Sequence, residues 1–207
     1  MPRAKQRTPE LRDRVLQVAV AMLANGGVAG FTTRKVAHQA NTSAPAVYEL
    51  FGDKAGLVKE IFFEGFRMLR RRFDGLADTD DPRADLVRVI ETFRAFVREN
   101  PVLSEVMFSR PFADFDPGPL EQKAGGAVRL YIVGHVQRCT DAGVLAGDTT
   151  DIAHVLVSTT QGLAATERAG WLGRSKASVN RRWDLAIRAV LDGLRGDARR
   201  NRRRAGR

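Results

Sequence analysis

Residues 31–57, FTTRKVAHQANTSAPAVYELFGDKAGL, constrain this chain more than any other stretch, because several helix-boundary signals fall close together in them. Thr32 is placed to cap a helix running through Val36 and Ala37 to about Ala40, its hydroxyl taking one of the amides that a helix start leaves free. Asn41 is placed to stop that helix, since a helix C-terminus favours a residue with positive φ, and Asn tolerates this best after Gly. Ser43 then caps Ala44-Pro45-Ala46. Pro45 falls in the first turn, where its missing N–H costs nothing and its fixed φ fits. Asp53 repeats the device ahead of Lys54 and Leu57. The spacing predicts two short helices, a tight turn between them and a capped third helix, which is a helix-turn-helix plan.

In Gly27, Phe31-Thr32, Val36-Ala37, Ala40, Ser43, Val47-Tyr48, Phe51, Lys54 and Leu57, the chain resembles the TetR-type transcriptional regulators. The likeness covers about the first 60 residues in sequence and the remainder only in helical layout. Two departures stand out: Asn41-Thr42 occupy the place of a usual Gly-Val, and Ala55 that of a common Glu. The resemblance implies a DNA-binding head followed by a helical domain for ligand binding and dimerisation.

The rest of the chain reads as further helices. Residues 1–7 carry Arg3, Lys5 and Arg7 without an apolar anchor, a basic arm suited to DNA phosphates or a minor groove, or simply a solvated tail. Thr8-Pro9-Glu10 opens a helix on which Leu11, Val15, Val18, Ala19, Met22 and Leu23 recur at helical spacing, and Asn25-Gly26-Gly27 ends it. Leu57, Val58, Ile61, Phe62, Phe66, Leu69 and Phe73 predict one long helix after Asp53. A polar hinge over residues 78–82 leads into a helix carrying Leu86, Val89, Ile90, Phe93, Phe96 and Val97, which Asn100-Pro101 closes. A short helix over residues 101–109 and a breaker-rich loop holding Phe112 and Phe115 follow. Three more helices are expected: one over about residues 120–142, one capped by Thr149-Thr150-Asp151, and a last one carrying Val179, Trp183, Ile187 and Leu191. No alternating strand run appears, so the fold is expected to be all-α with about nine helices. The expected division is a head over residues 1–56, a body over 57–195 and a disordered Arg-rich tail over 196–207.

Charge supports that division. Residues 1–56 hold 8 Lys/Arg against 4 Asp/Glu, residues 57–194 hold 19 against 19, and residues 195–207 hold 7 Arg against Asp197. The formal charge of +10 therefore sits at the two ends, where a polyanion would be met. Cys139 is the single cysteine, which excludes an intrachain disulfide and fits a reducing compartment. No apolar run reaches the ~18–20 residues of a membrane span, and no signal peptide is legible, so the expected location is the cytoplasm without membrane contact. His38, His135, His154 and Cys139 are scattered, so neither a metal nor a cofactor is expected. Nucleophile elbow, phosphate loop and paired acids on a strand scaffold are all missing, and enzymatic activity is not expected.

In a helix-turn-helix dimer the second helix enters the major groove, with half-sites ~34–36 Å apart. Here Thr42, Ser43, Ala44, Pro45 and Ala46 offer methyls and hydroxyls but no long fork, so thymine methyls are the expected contacts. Arg34 is the candidate reader of guanine. The resemblance implies phosphate contacts from Thr33, Tyr48 and Lys54. It also implies a small-molecule cavity in the body, with Phe93, Met107, Phe108, Phe112, Tyr131 and His135 as candidate lining groups and a lipophilic effector. It further implies a homodimer in which the last two helices meet their twofold mates through Leu156, Thr159, Leu163, Trp183, Ile187 and Val190. Small residues such as Ser158, Gly162, Ala165, Ala186 and Ala189 give those helices a second face to pack. The rival reading is a basic-ended helical dimer module that binds nucleic acid without sequence preference or ligand control.

Overall fold

Helix α1 (Pro9–Gly26) opens where the Leu11 amide donates to Thr8 Oγ1 at 3.3 Å, and closes at Gly27, whose φ of 64° a side chain would resist. The Lys35 amide donates to Thr32 Oγ1 at 3.3 Å and starts α2 (Thr33–Gln39); the Ala46 amide donates to Ser43 Oγ at 3.3 Å and starts α3 (Ala44–Phe51). The Gly56 amide reaches Asp53 Oδ1 at 2.7 Å as α4 (Lys54–Asp74) begins. The caps predicted at Thr8, Thr32, Ser43 and Asp53 are thus all formed.

The computed structural model describes residues 8–108 and 118–195, and among them helices continue with α5 (Pro82–Glu99), α6 (Pro101–Phe108), α7 (Pro119–Asp141), α8 (Thr149–Arg168) and α9 (Lys176–Gly193). The described residues form nine helices and no strand; one antiparallel bridge joins Leu145 to Arg195. The basic arm over residues 1–7, the loop phenylalanines Phe112 and Phe115, and the Arg-rich tail lie outside the described residues. One boundary differs from expectation: Asp148, not Thr149, caps α8, because its carboxylate accepts from the amides of both Thr150 and Asp151, at 2.9 and 3.0 Å.

Packing gathers the chain into two compact units, residues 1–68 with 100–125 and residues 69–99 with 126–207, whereas the sequence pointed to a division after residue 56. The first unit closes on Leu16, Ala19, Leu23, Phe31, Val36, Val47, Leu57 and Ile61, all buried. Helix α6 belongs to it by contact with α1 and α4. Gly65 makes the close approach possible, since a Cβ there would stand 2.5 Å from Met107 Sδ and 3.2 Å from Leu103 Cδ1.

The second unit packs α5 against α8, and α8 against α9, over Leu86, Val89, Phe93, Phe96, Leu156, Trp183, Ile187 and Leu191. The segment before α5 is held by the 2 %-exposed Asp85. Its carboxylate accepts from the Thr79 amide at 2.8 Å, the Thr79 hydroxyl at 2.6 Å and Arg138 Nη1 at 2.8 Å, with Arg88 as a further partner. These donors, Thr79 first and the two guanidinium groups after it, hold the Asp85 carboxyl well below the usual carboxylate range.

Candidate nucleic-acid interface

The turn between α2 and α3 is built around Asn41, the single described non-glycine residue at positive φ, 51°. That conformation lets the Thr42 amide return to the Ala37 carbonyl at 2.9 Å and the Asn41 amide to that of His38 at 3.1 Å, closing α2 with its end carbonyls satisfied. From α1, Arg14 Nε donates to the Ala40 carbonyl at 3.1 Å and holds the same corner. Val36, Ala37, Ala40, Val47 and Phe51 are buried beneath the turn, which fixes the angle of α3 and leaves its other face outward. Arg12 lies over the Phe51 ring at 5.2 Å and pairs with Glu60 at 2.8 Å, so it fastens α1 to α3 and α4.

That outward face carries Ser43, Pro45 and Tyr48, all exposed, with Thr42, Ala44 and Ala46 half-buried beside them. Tyr48 is 45 % exposed, a large aromatic presented to solvent next to the turn. Ser43 Oγ accepts from Ala46, which leaves its own proton to donate outward. Arg34 on α2 and Lys54 at the first position of α4 are also exposed. The head therefore brings a methyl-and-hydroxyl surface, a guanidinium, a phenol and an ammonium to its solvent side.

Thr33 is 5 % exposed, so only an edge of its side chain faces outward, beside the exposed Thr32 and Lys35. Lys35 is a second cation adjacent to Arg34 in the first turn of this short helix. Its ammonium donates to the Gly30 carbonyl at 3.3 Å.

The candidate lining groups are divided between the two units. Phe93 and His135 are buried and Tyr131 half-buried in the second unit. In the first unit Met107 is buried, and the half-buried Phe108 meets the Phe66 ring edge-on at 5.7 Å; Phe112 lies outside the described residues. Both polar handles already have protein partners: the Tyr131 hydroxyl donates to the Phe73 carbonyl at 2.8 Å, and His135 Nε2 stands 3.2 Å from Asp78. Among the described residues of the second unit, an open cleft lies between α5 and α9, with a volume near 410 Å³.

The residues expected at a partner face differ in burial. Leu156, Trp183 and Ile187 are buried inside their own chain, at 1, 3 and 7 % exposure. Thr159, Leu163 and Val190 are half-buried, while Val155, Ser158, Gly162 and Ala165 of α8 and Leu185 and Ala189 of α9 are exposed. Both faces of α8 are apolar enough for helical spacing to fit either: Ile152, Leu156 and Ala164 turn inward, and Val155, Gly162 and Ala165 outward.

Cys139 is buried, with its thiol donating to the Pro82 carbonyl at 3.2 Å, and burial pushes its pKa up to about 11. Among the described residues, no cluster of His, Cys, Asp and Glu is arranged to hold a metal, and no helix is long and apolar enough to cross a membrane.

Comparison with known proteins matches residues 15–61 to the family described as bacterial regulatory proteins, tetR family, and residues 86–190 to that described as tetracyclin repressor-like, C-terminal domain. The nucleoid occlusion factor SlmA of Aliivibrio fischeri is 34% identical over 109 residues, 50% of this chain and 54% of that protein, so the match spans about half the relative's length. The HTH-type transcriptional repressor KstR of Mycolicibacterium smegmatis is 24% identical over 186 residues, 88% of this chain and 87% of KstR. A solved structure of a protein of unknown function from Rhodococcus sp. RHA1 shares the fold, with a TM-score of 0.74 at 24% identity over 92% of this chain and 98% of its own.

Proposed function

The chain belongs to the TetR family of bacterial regulatory proteins, DNA-binding regulators of transcription, and from that premise we propose that it is a cytoplasmic repressor released from a palindromic operator by a small lipophilic ligand. It binds that operator as a homodimer, each head laying α3 into one major-groove half-site. The observation that carries this reading is the outward face of α3: Ser43, Pro45 and Tyr48 stay open while Val47 and Phe51 of the same helix are buried beneath them. Repression is supported by KstR, which is named a transcriptional repressor.

Each side chain then has a task. Ala44, Pro45, Ala46 and the Thr42 methyl meet thymine methyls, Ser43 donates to a base edge or phosphate, and Arg34 reads guanine. Tyr48 and Lys54 set the register on the backbone. Release requires a ligand whose affinity differs between the operator-bound and free states, since equal affinity shifts nothing.

The test is a gel-shift titration of the full chain on its own upstream DNA against random duplex, at rising salt. A repressor keeps its preference for one palindrome at physiological salt, and uracil in place of thymine in the half-site weakens binding. Equal affinity for both duplexes, with a steep fall in salt, would make the protein the non-specific module instead. The same release assay, run with a panel of lipophilic acids and aromatics, identifies the effector.

A further inference from the structure

The cleft between α5 and α9 contains none of the residues given a task in operator binding. The two helices run antiparallel along it: Arg83 at the start of α5 pairs with Asp192 at 2.8 Å, and Arg94, three turns on, donates to Asn180 at 3.0 Å. Val87, Ile90, Ile187 and Leu191 make an apolar floor between these ends. The ends differ in charge. At the first, Arg83, Arg188 and Arg195 surround the single carboxylate of Asp192 and hold it below its ordinary range, the Arg83 hydrogen bond contributing most. Arg188 gives its Nε to the Asp184 carbonyl at 3.1 Å and has no ion pair among the described residues. At the second end, Glu91 and Asp184 line the rim, while Arg94 is already held by Glu167 at 3.0 Å.

Trp183 lines this cleft at its second end and is 3 % exposed, so its indole reports on what enters.

We propose that the α5–α9 cleft binds a small amphipathic monocarboxylate, its carboxylate on Arg83 and Arg188 and its apolar body along Val87, Ile90, Ile187 and Leu191 toward Trp183. The free guanidinium N–H groups of the first end match a carboxylate, and Glu91 with Asp184 repels it from the second, so the orientation is set by charge. The cleft spans about 16 Å from Arg83 to Arg94 along α5, long enough for an extended fatty-acid chain.

The test uses the full chain carrying Trp171→Phe, which leaves Trp183 as its only indole. Sodium dodecanoate, kept below its micelle concentration, should change Trp183 emission saturably, and dodecyltrimethylammonium should not. Arg188→Gln should weaken dodecanoate about tenfold by removing a charge-assisted contact, and Val87→Phe should block it. Arg188 is exposed, so its variant keeps the fold, which a melting curve verifies for both. The proposal is overturned if emission never saturates, if the cationic amphiphile acts equally, or if neither substitution alters the titration. It also falls if Val87→Phe changes subunit stoichiometry in sedimentation while dodecanoate has no effect, because the cleft is then a contact between copies. None of these outcomes bears on operator binding.

Discussion

Arg138 and Asp85 meet at 2.8 Å across the second unit, where Arg138 Nη1 on α7 pairs with a carboxylate that α5 keeps 2 % exposed. Arg138 Nη2 also takes the Thr79 carbonyl at 2.6 Å, and Asp85 takes the Thr79 amide and hydroxyl. One ion pair therefore fastens the segment between α4 and α5 to α7. Asp85→Asn keeps the shape but loses the charge, and should lower Tm by several degrees at neutral pH. Because the folded carboxyl titrates below its unfolded value of ~3.9, its contribution is present above that value and is lost as pH falls through the folded one. Melting curves of both proteins should thus differ by a constant amount from about pH 5 to pH 8 and converge in stronger acid. A gap that widens in acid would refute the linkage.

Gly65 and Met107 form a matched pair. Gly65→Ala should gain about 1 kcal/mol of helix propensity but lose roughly 1–3 kcal/mol to overpacking, since its Cβ would press within 2.5 Å of Met107 Sδ. In a Met107→Ala background the worst of the clash is gone, Leu103 Cδ1 at 3.2 Å can shift into the space left, and the same substitution should become neutral or stabilising. A double-mutant cycle by urea unfolding measures the coupling, and strict additivity would mean that the two do not compete for this space.

DNA titrations of single variants separate reading from holding. Arg34→Ala should cost ~1–3 kcal/mol on the preferred operator and flatten preference at one position. Lys54→Ala should weaken all duplexes alike and reduce the salt slope by about 1. Thr33→Val, a buried position, should leave the slope unchanged.

Self-association gives a further check on the outward faces of α8 and α9. Gly162→Arg or Leu185→Glu, both at exposed positions, should yield a folded monomer in sedimentation. Trp183→Ala should instead lower stability by ~3–5 kcal/mol, because it empties the core of a single chain. If Gly162→Arg and Leu185→Glu both leave the dimer intact, these helices do not make the contact.

Cys139 should be inert. With its pKa near 11, a disulfide reagent at about pH 8 should label the native protein on the order of a hundredfold more slowly than the urea-unfolded chain. Operator affinity should be the same before and after mild oxidation.

The sequence by itself determined what depends on neighbours a few residues apart. Thr8, Thr32, Ser43 and Asp53 accept amides three residues on, and Asn41 adopts its positive φ, because these preferences belong to single side chains and their adjacent backbone. The two short helices of the head were legible for the same reason. Only tertiary structure decided which of two apolar faces of α8 turns inward, that Thr33 is buried while Thr32 is not, and that α6 packs with the head. Helical periodicity gives the angle between residues on one helix but not the direction in which its partner lies. Pairs such as Asp85 with Arg138, 53 positions apart, join side chains whose local surroundings carry no mark of each other.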